Sequence, residues 1–279
     1  MADRFEFTLD SVEATVVGRA MNADVRRFPL RIRNSTIDPV RFVRLGVLVH
    51  DELERRGLSV GGRLHPLVQT ALELFNDHQV SVSVSGRTER EEDIAMLAMS
   101  DGAQAVGVTQ EHGSDALRFS LFPDEDLVRR ISTFLPAAPA APQGTLTVAH
   151  RPARAVSAMA ARRLAEEEAD AEETDAFGNL VIGMVGDGPR RRPSGRSDAE
   201  KLGEIMAGQR LGVGFLAASG LRRSGERRSV PPLGWVDTEQ GRYLVRTTTE
   251  ADGTTVATYQ PAGAAEVQTA VQEVISSVY

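Results

Sequence analysis

The chain has 279 residues, enough for one large domain or two small ones, with 41% hydrophobic and 25% charged residues, the balance of a globular protein. It contains no cysteine, which excludes disulfides, thiolate metal sites and cysteine nucleophiles. A net charge of −7 argues against a general nucleic-acid binder, and no apolar run approaches the roughly 18–20 residues that would span a membrane. The opening MADRFEFTLD has neither the basic start nor the apolar stretch of a signal peptide, so a cytoplasmic protein without membrane insertion is expected.

In chain order, Phe5, Phe7 and Leu9 alternate with polar residues and predict a strand. Asp10 and Glu13 then form a D-x-x-E helix start, with Val12, Val16 and Ala20 on one stripe. Asp38–Pro39 opens a longer helix with Val40, Val43 and Val47 on one face and Gly57 as its stop. A third helix runs from about Pro66 to Asn76. The period then falls to two: Val80, Val82 and Val84 alternate with Ser81, Ser83 and Ser85. Strands at Ile94–Met99, Ala103–Val108 and Leu117–Leu121 follow across short turns, which requires an antiparallel meander. Pro123–Asp124 opens a helix, and Pro136 to Gly144 reads as a linker.

The same order then restarts. A strand at Thr145–Ala149 precedes a helix from Ala153 to about Ala169, an acidic tract, a Gly/Arg/Pro-rich loop at Gly183–Asp198 and a helix at Ala199–Met206. Strands are expected at Leu211–Ala217, Val230–Val236, Arg242–Thr247 and Thr254–Tyr259, then a helix opened by Pro261. Gly86 and Gly225, Gly102 and Gly241, Gly113 and Gly253, and Pro123 and Pro261 are each 138 to 140 residues apart. Matching punctuation without matching side chains is what a diverged duplication keeps. The expected fold is α+β: a pseudo-two-fold single domain of two similar halves, 1–136 and 144–279, whose central antiparallel sheet is flanked by helical bundles.

Catalytic chemistry finds little support. His50, His65, His78, His112 and His150 show no metal-ligand spacing, and solvated surface histidine is the expectation for each. Gly212, Gly214 and Ala217 fit G-x-G-x-x-A, but they fall inside a predicted strand, where glycine marks a bulge or a close backbone approach. The acidic run from Glu166 to Asp175 reads as a solvated helix end. Two arginine clusters, Arg190, Arg191, Arg192 and Arg196, then Arg222, Arg223, Arg227 and Arg228, lack interleaved aromatics and suit an acidic protein patch better than nucleic acid. No cofactor, metal or catalytic residue is expected. Some of the sheet has no obvious covering helix, and such a face suits a pair of amphipathic partner helices.

RFEFTLDSVEATVV (Arg4–Val17), FPLRI (Phe28–Ile32), RGLSVGGRLHPLVQTALELF (Arg56–Phe75) and LGWVDTEQGRYLV (Leu233–Val245), with the closing amphipathic helix, resemble the EspG family of specificity chaperones of type VII (ESX) secretion in actinobacteria. The resemblance implies a non-enzymatic cytosolic protein. Its partner would be the helical tip of a PE–PPE heterodimer or a related helical hairpin, kept soluble and delivered to the secretion machine. It also implies a partner surface made of the sheet, the loop matching Gly86–Asp93 and a C-terminal helical bundle. On this chain the contact candidates are Arg87, Thr88, Arg90, Phe215, Arg222, Arg223, Arg227, Arg228 and Trp235, on a monomer or a homodimer. The competing reading is a small-molecule-binding protein or an enzyme whose site leaves no mark in one sequence.

Overall fold

The computed structural model describes residues 5–33, 38–150, 196–221 and 225–279. The expected helix at Ala153–Ala169, the acidic tract, most of the Gly183–Asp198 loop, and Arg190, Arg191, Arg192, Arg222 and Arg223 lie outside the described residues.

Strand β1 (Phe5–Leu9) leads into helix α1 (Ser11–Ala20) through a full capping box. The Asp10 carboxylate accepts from the Val12 and Glu13 N–H groups, and Glu13 accepts from the Asp10 N–H at 3.0 Å. Helix α2 (Pro39–Arg55) starts on an Asp38 cap with proline at its first position. Between it and α3 (Pro66–Asn76) stands a hairpin that the sequence pattern does not predict, β2 (Ser59–Val60) and β3 (Arg63–Leu64). Gly61 and Gly62 turn it at φ 57° and 77°, where side chains rarely go.

The meander comprises β4 (Val80–Thr88), β5 (Asp93–Ser100), β6 (Gln104–Gln110) and β7 (Leu117–Pro123). A 3-10 turn at Asp124–Asp126 then opens α4 (Leu127–Phe134). The second half supplies β8 (Leu146–His150), α5 (Asp198–Met206), β9 (Arg210–Leu221), β10 (Arg227–Ser229), β11 (Leu233–Thr238), β12 (Gly241–Thr249), β13 (Thr255–Pro261) and α6 (Ala264–Ser276). Two boundaries move. The strand expected from Val230 begins only at Leu233, because Pro231 and Pro232 have no N–H to give a ladder. Pro261 ends β13 rather than opening the helix; Gly263 is the cap, its N–H donating to Glu266 at 2.9 Å.

Among the described residues, eleven strands form one antiparallel sheet in the order β1-β7-β6-β5-β4-β9-β11-β12-β13-β8, with β10 added to β9. From the central β4–β9 pair outward, each half lays down its strands in the same relative order. Gly102 and Gly241 turn the two equivalent hairpins, as do Gly113 and Gly253, all with positive φ. Gly86 departs from the expected pairing with Gly225: it lies inside β4, while Gly225 sits in a turn.

Apolar packing holds this sheet in three places. On one face, α4 and α6 cover the centre, over Val82, Val84, Leu216, Ala218 and Trp235. On the other, α1, α2 and α3 pack over Leu97, Met99, Val106, Val108 and Phe119. Leu202 and Ile205 of α5 pack with Val236, Tyr243, Val245 and Tyr259. The inward side of α2 is Val49 and Leu53; Val40, Val43 and Val47, the stripe singled out in the sequence, are 63%, 67% and 57% exposed.

The W-x-D-T-x-x-G-R-Y stretch explains why the inter-half linker is ordered. Asp237 and Arg242 face each other across the β11–β12 hairpin and form a buried two-pronged ion pair at 2.6 and 2.7 Å. Arg242 also donates to the Pro136 carbonyl, and its backbone N–H donates to Pro139, while the Ala141 N–H donates back to Arg242. Tyr243 donates its hydroxyl to Gln143 at 2.8 Å. Residues 136–144 are therefore a strap laid along β12 rather than a free linker.

Candidate partner interface

Strict alternation in β4 and β9 divides their side chains between two environments. Val80, Val82, Val84, Leu216 and Ala218 are buried under α4 and α6. Their neighbours Ser81, Ser83, Ser85, Val213, Phe215, Ala217 and Ser219 point to the opposite face and are only partly buried. The register joins them into one stripe: Ser81 stands opposite Ser219, Ser83 opposite Ala217, and Ser85 opposite Phe215. Leu97 and Met99, the β5 partners of Ser83 and Ser81, belong to the N-terminal core. Val213 and Val236 belong with α5. A groove floored by small and hydroxylated residues thus runs between two helical packs.

Its length follows from the β4–β9 pairing, Val80–Thr88 against Gly212–Gly220. At about 3.3 Å per residue this is roughly 30 Å. Two antiparallel helices side by side are about 20 Å wide. The floor can therefore seat the tip of a helical hairpin.

One wall is the segment after α1. Phe28, 60% exposed, stacks on Phe215 with ring centroids 5.9 Å apart and planes 5° from parallel. Beyond them a cavity of about 440 Å³ opens between residues 28–33, Ser85–Gly86, Asp93–Ala95 and the β6–β7 turn. Asp93 organises that end, holding Arg31 at 2.8 Å and Arg87 at 3.6 Å. At the other end Arg27 lies over the Phe75 ring and 3.4 Å from His78. Burial lowers the Arg27 pKa, Asp24 opposes this, and Arg227 adds to it. Burial also lowers the His78 pKa, and the Arg27 charge lowers it further. His78 is therefore not the solvated surface histidine expected from the sequence. Nor is His65, whose Nδ1 accepts from the Leu67 N–H and whose ring stacks on Phe5.

The predicted contact residues divide accordingly. Phe215 lies on the groove floor. Arg87, Thr88 and Arg90 stand at one end, where Thr88 pairs with Gly212, and the true connection between β4 and β5 is only residues 89–92, inside the expected Gly86–Asp93. Arg87 is held by Glu91 and Asp93, and the Thr88 hydroxyl is buried with no hydrogen-bond partner among the described residues. Arg227 and Arg228 are exposed on β10 at the opposite end, beside Leu221 and Gly220.

Trp235 is a correction. It is 1% exposed, and its ring fills the slot left by two glycines that face each other, Gly86 and Gly214. A Cβ on Gly86 would stand 2.8 Å from that ring, and one on Gly214 would collide with it. Trp235 therefore belongs to the core under α4 and α6 and offers nothing to a partner. The same contact gives Gly214 of the G-x-G pattern its reason, a close approach of ring to backbone, while a Cβ on Gly212 would stand 3.3 Å from the Asp237 carboxylate. The residues missed in the sequence are Phe28 and the serine row, though the alternation of β4 already marks the serines as a separate face.

Comparison with known proteins places this architecture. The EspG family model matches residues 10–273, and the chain belongs to that family. Among solved structures it is similar to the Mycobacterium tuberculosis type VII secretion system chaperone EspG5, determined in complex with the PE25–PPE41 dimer. The identity is 13% and the TM-score 0.63, over 99% of this chain and 97% of that one. No curated protein matches the sequence.

Proposed function

We propose that this chain is a cytoplasmic type VII secretion chaperone that seats the helical tip of a PE–PPE-type substrate in the groove over β4 and β9. The observation that carries this reading is the partly exposed stripe along the two central strands. Among the described residues the sheet buries its centre on one face and leaves it open between two helical packs on the other, an arrangement suited to receiving a partner. The likeness of fold to EspG5, which was captured with a PE–PPE dimer, supports it.

The chemistry of the groove suits reversible binding. Phe28 and Phe215 offer an apolar anchor, and the serines supply polar contacts that do not seal the site permanently. Arg27, Arg227 and Arg228 at one end favour the acidic side chains and unpaired carbonyls of helix ends. An apolar helical tip left in water drives self-association, and covering it suppresses that. The fold also supports reading residues 1–136 and 144–279 as copies of one ancestral unit, since both halves repeat strand order and hairpin glycines about the β4–β9 pair.

Co-expression with a tagged helical substrate encoded at the same locus tests the reading. The wild-type chain co-purifies with the substrate, and Phe215→Glu abolishes co-purification without unfolding the chain, because Phe215 is outside the three cores. Undiminished capture by Phe215→Glu would remove the groove from the account.

A further inference from the structure

We infer that the outward face of α2 is a self-association surface on which two copies of this chain pair antiparallel about a two-fold axis near Val47 and Leu48.

Four apolar side chains on that helix are turned to water: Val40, Val43, Val47 and Leu48 are 57% to 67% exposed. They are not the helix's inward side, which Val49 and Leu53 supply. The hairpin after α2 adds Val60, 72% exposed, beside Glu54, which accepts from the Gly61 N–H. A contiguous exposed apolar face of this kind marks an interaction site.

The charges on the same face choose the occupant. Arg41 pairs with Asp38, Arg55 with Glu52, and His50 lies 3.7 Å from Glu54. Arg44 and Asp51 are exposed and make no ion pair or hydrogen bond among the described residues. They lie seven residues apart, two turns along one face, about 10 Å from each other and too far to pair within one helix. Basic Arg41 and Arg44 occupy the first half of α2, while acidic Asp51, Glu52 and Glu54 outnumber Arg55 in the second, so charge is unevenly divided along the helix. An antiparallel copy resolves both features. With Val47 against Leu48 of the second copy, Arg44 meets its Asp51, and symmetry makes the same pair again. Val60 comes to the first turn of the copy's α2. A heterologous partner would have to reproduce this self-complementary pattern by coincidence.

One 17-residue helix and a hairpin tip give an interface near the lower limit of specific complexes, so the dimer is weak, with a dissociation constant on the order of micromolar or higher. The inference stands apart from the groove reading, since the groove lies over β4 and β9.

Sedimentation velocity over a concentration series tests it on the full chain. The wild type shows a monomer–dimer equilibrium, and Val47→Glu is monomeric throughout. Arg44→Asp and Asp51→Arg each raise the dissociation constant at least about tenfold, because each sets like charges together twice. The double variant Arg44→Asp/Asp51→Arg restores it, since the swap recreates both pairs. All three positions are exposed, so folding is retained, and circular dichroism checks this. A wild type that stays monomeric at millimolar concentration overturns the inference. So does a dimer indifferent to Val47→Glu, or a double variant no tighter than the singles. Val47→Glu weakening capture of a helical substrate, with no self-association, would overturn it too, by assigning the face to a different occupant.

Discussion

Arg242 shows how one side chain joins three parts of the molecule. Its guanidinium satisfies Asp237 on the neighbouring strand and the Pro136 carbonyl in the strap, all out of water. Such a pair adds modest net stability when intact, yet removing one partner strands a buried charge. Arg242→Ala or Asp237→Ala should therefore cost about 3–5 kcal/mol, read as a lowered urea midpoint. The double variant should cost clearly less than the sum of the singles, because the second change removes the charge that the first stranded. Equal and additive small losses would show that the pair is not the tie described here. Trp235 carries the complementary lesson. As the only tryptophan it invites a surface role, and its burial depends on Gly86 and Gly214 meeting across a strand pair, a register that no local pattern contains.

Elements are legible in the sequence wherever local chemistry decides them. The Asp10 and Asp38 caps and the alternation of β4 each need only a few neighbouring residues. The direction in which an element faces is less so. Helix α2 carries two apolar stripes, Val40–Val43–Val47 outward and Val49–Leu53 inward, and helical period alone cannot say which of them packs. The strap at residues 136–144 is hidden for a similar reason, since alanine and proline spell a linker locally while its hydrogen bonds come from β12. Gly241 makes that docking feasible. It has φ 124°, and a Cβ there would stand 2.7 Å from the Ala141 nitrogen. Gly241→Ala should destabilise the chain by about 1–3 kcal/mol and expose the strap to limited proteolysis between residues 136 and 144. Unchanged proteolysis would mean that the strap does not depend on this approach.

For the whole molecule, the pairing of the two halves through β4 and β9 makes the groove. On that face, among the described residues, each half packs helices on its own outer strands, which leaves the shared central strands covered on one face only. The serine row and Phe215 therefore lie open at the seam because of where the halves meet. The shared strand order on either side of β4 and β9 is readable in part from the turn glycines at 102, 113, 241 and 253, but the seam is not, since it depends on which strand of each half lies innermost.

The most direct test of the groove uses the absence of cysteine from the chain, which makes a single introduced thiol unambiguous. Ser83→Cys puts that thiol at the middle of the floor, opposite Ala217, and Ala251→Cys puts it on the exposed turn between β12 and β13, outside both the groove and the α2 face, as a control. Maleimide labelling is measured for each free variant and for its complex with a helical-hairpin substrate. The account predicts that complex formation slows labelling of the Ser83→Cys variant by about tenfold or more, while the Ala251→Cys variant reacts at its free rate. It also predicts that the Ser83→Cys variant, labelled beforehand, no longer forms the complex. A stable complex in which the Ser83→Cys variant labels as fast as the free chain would contradict it.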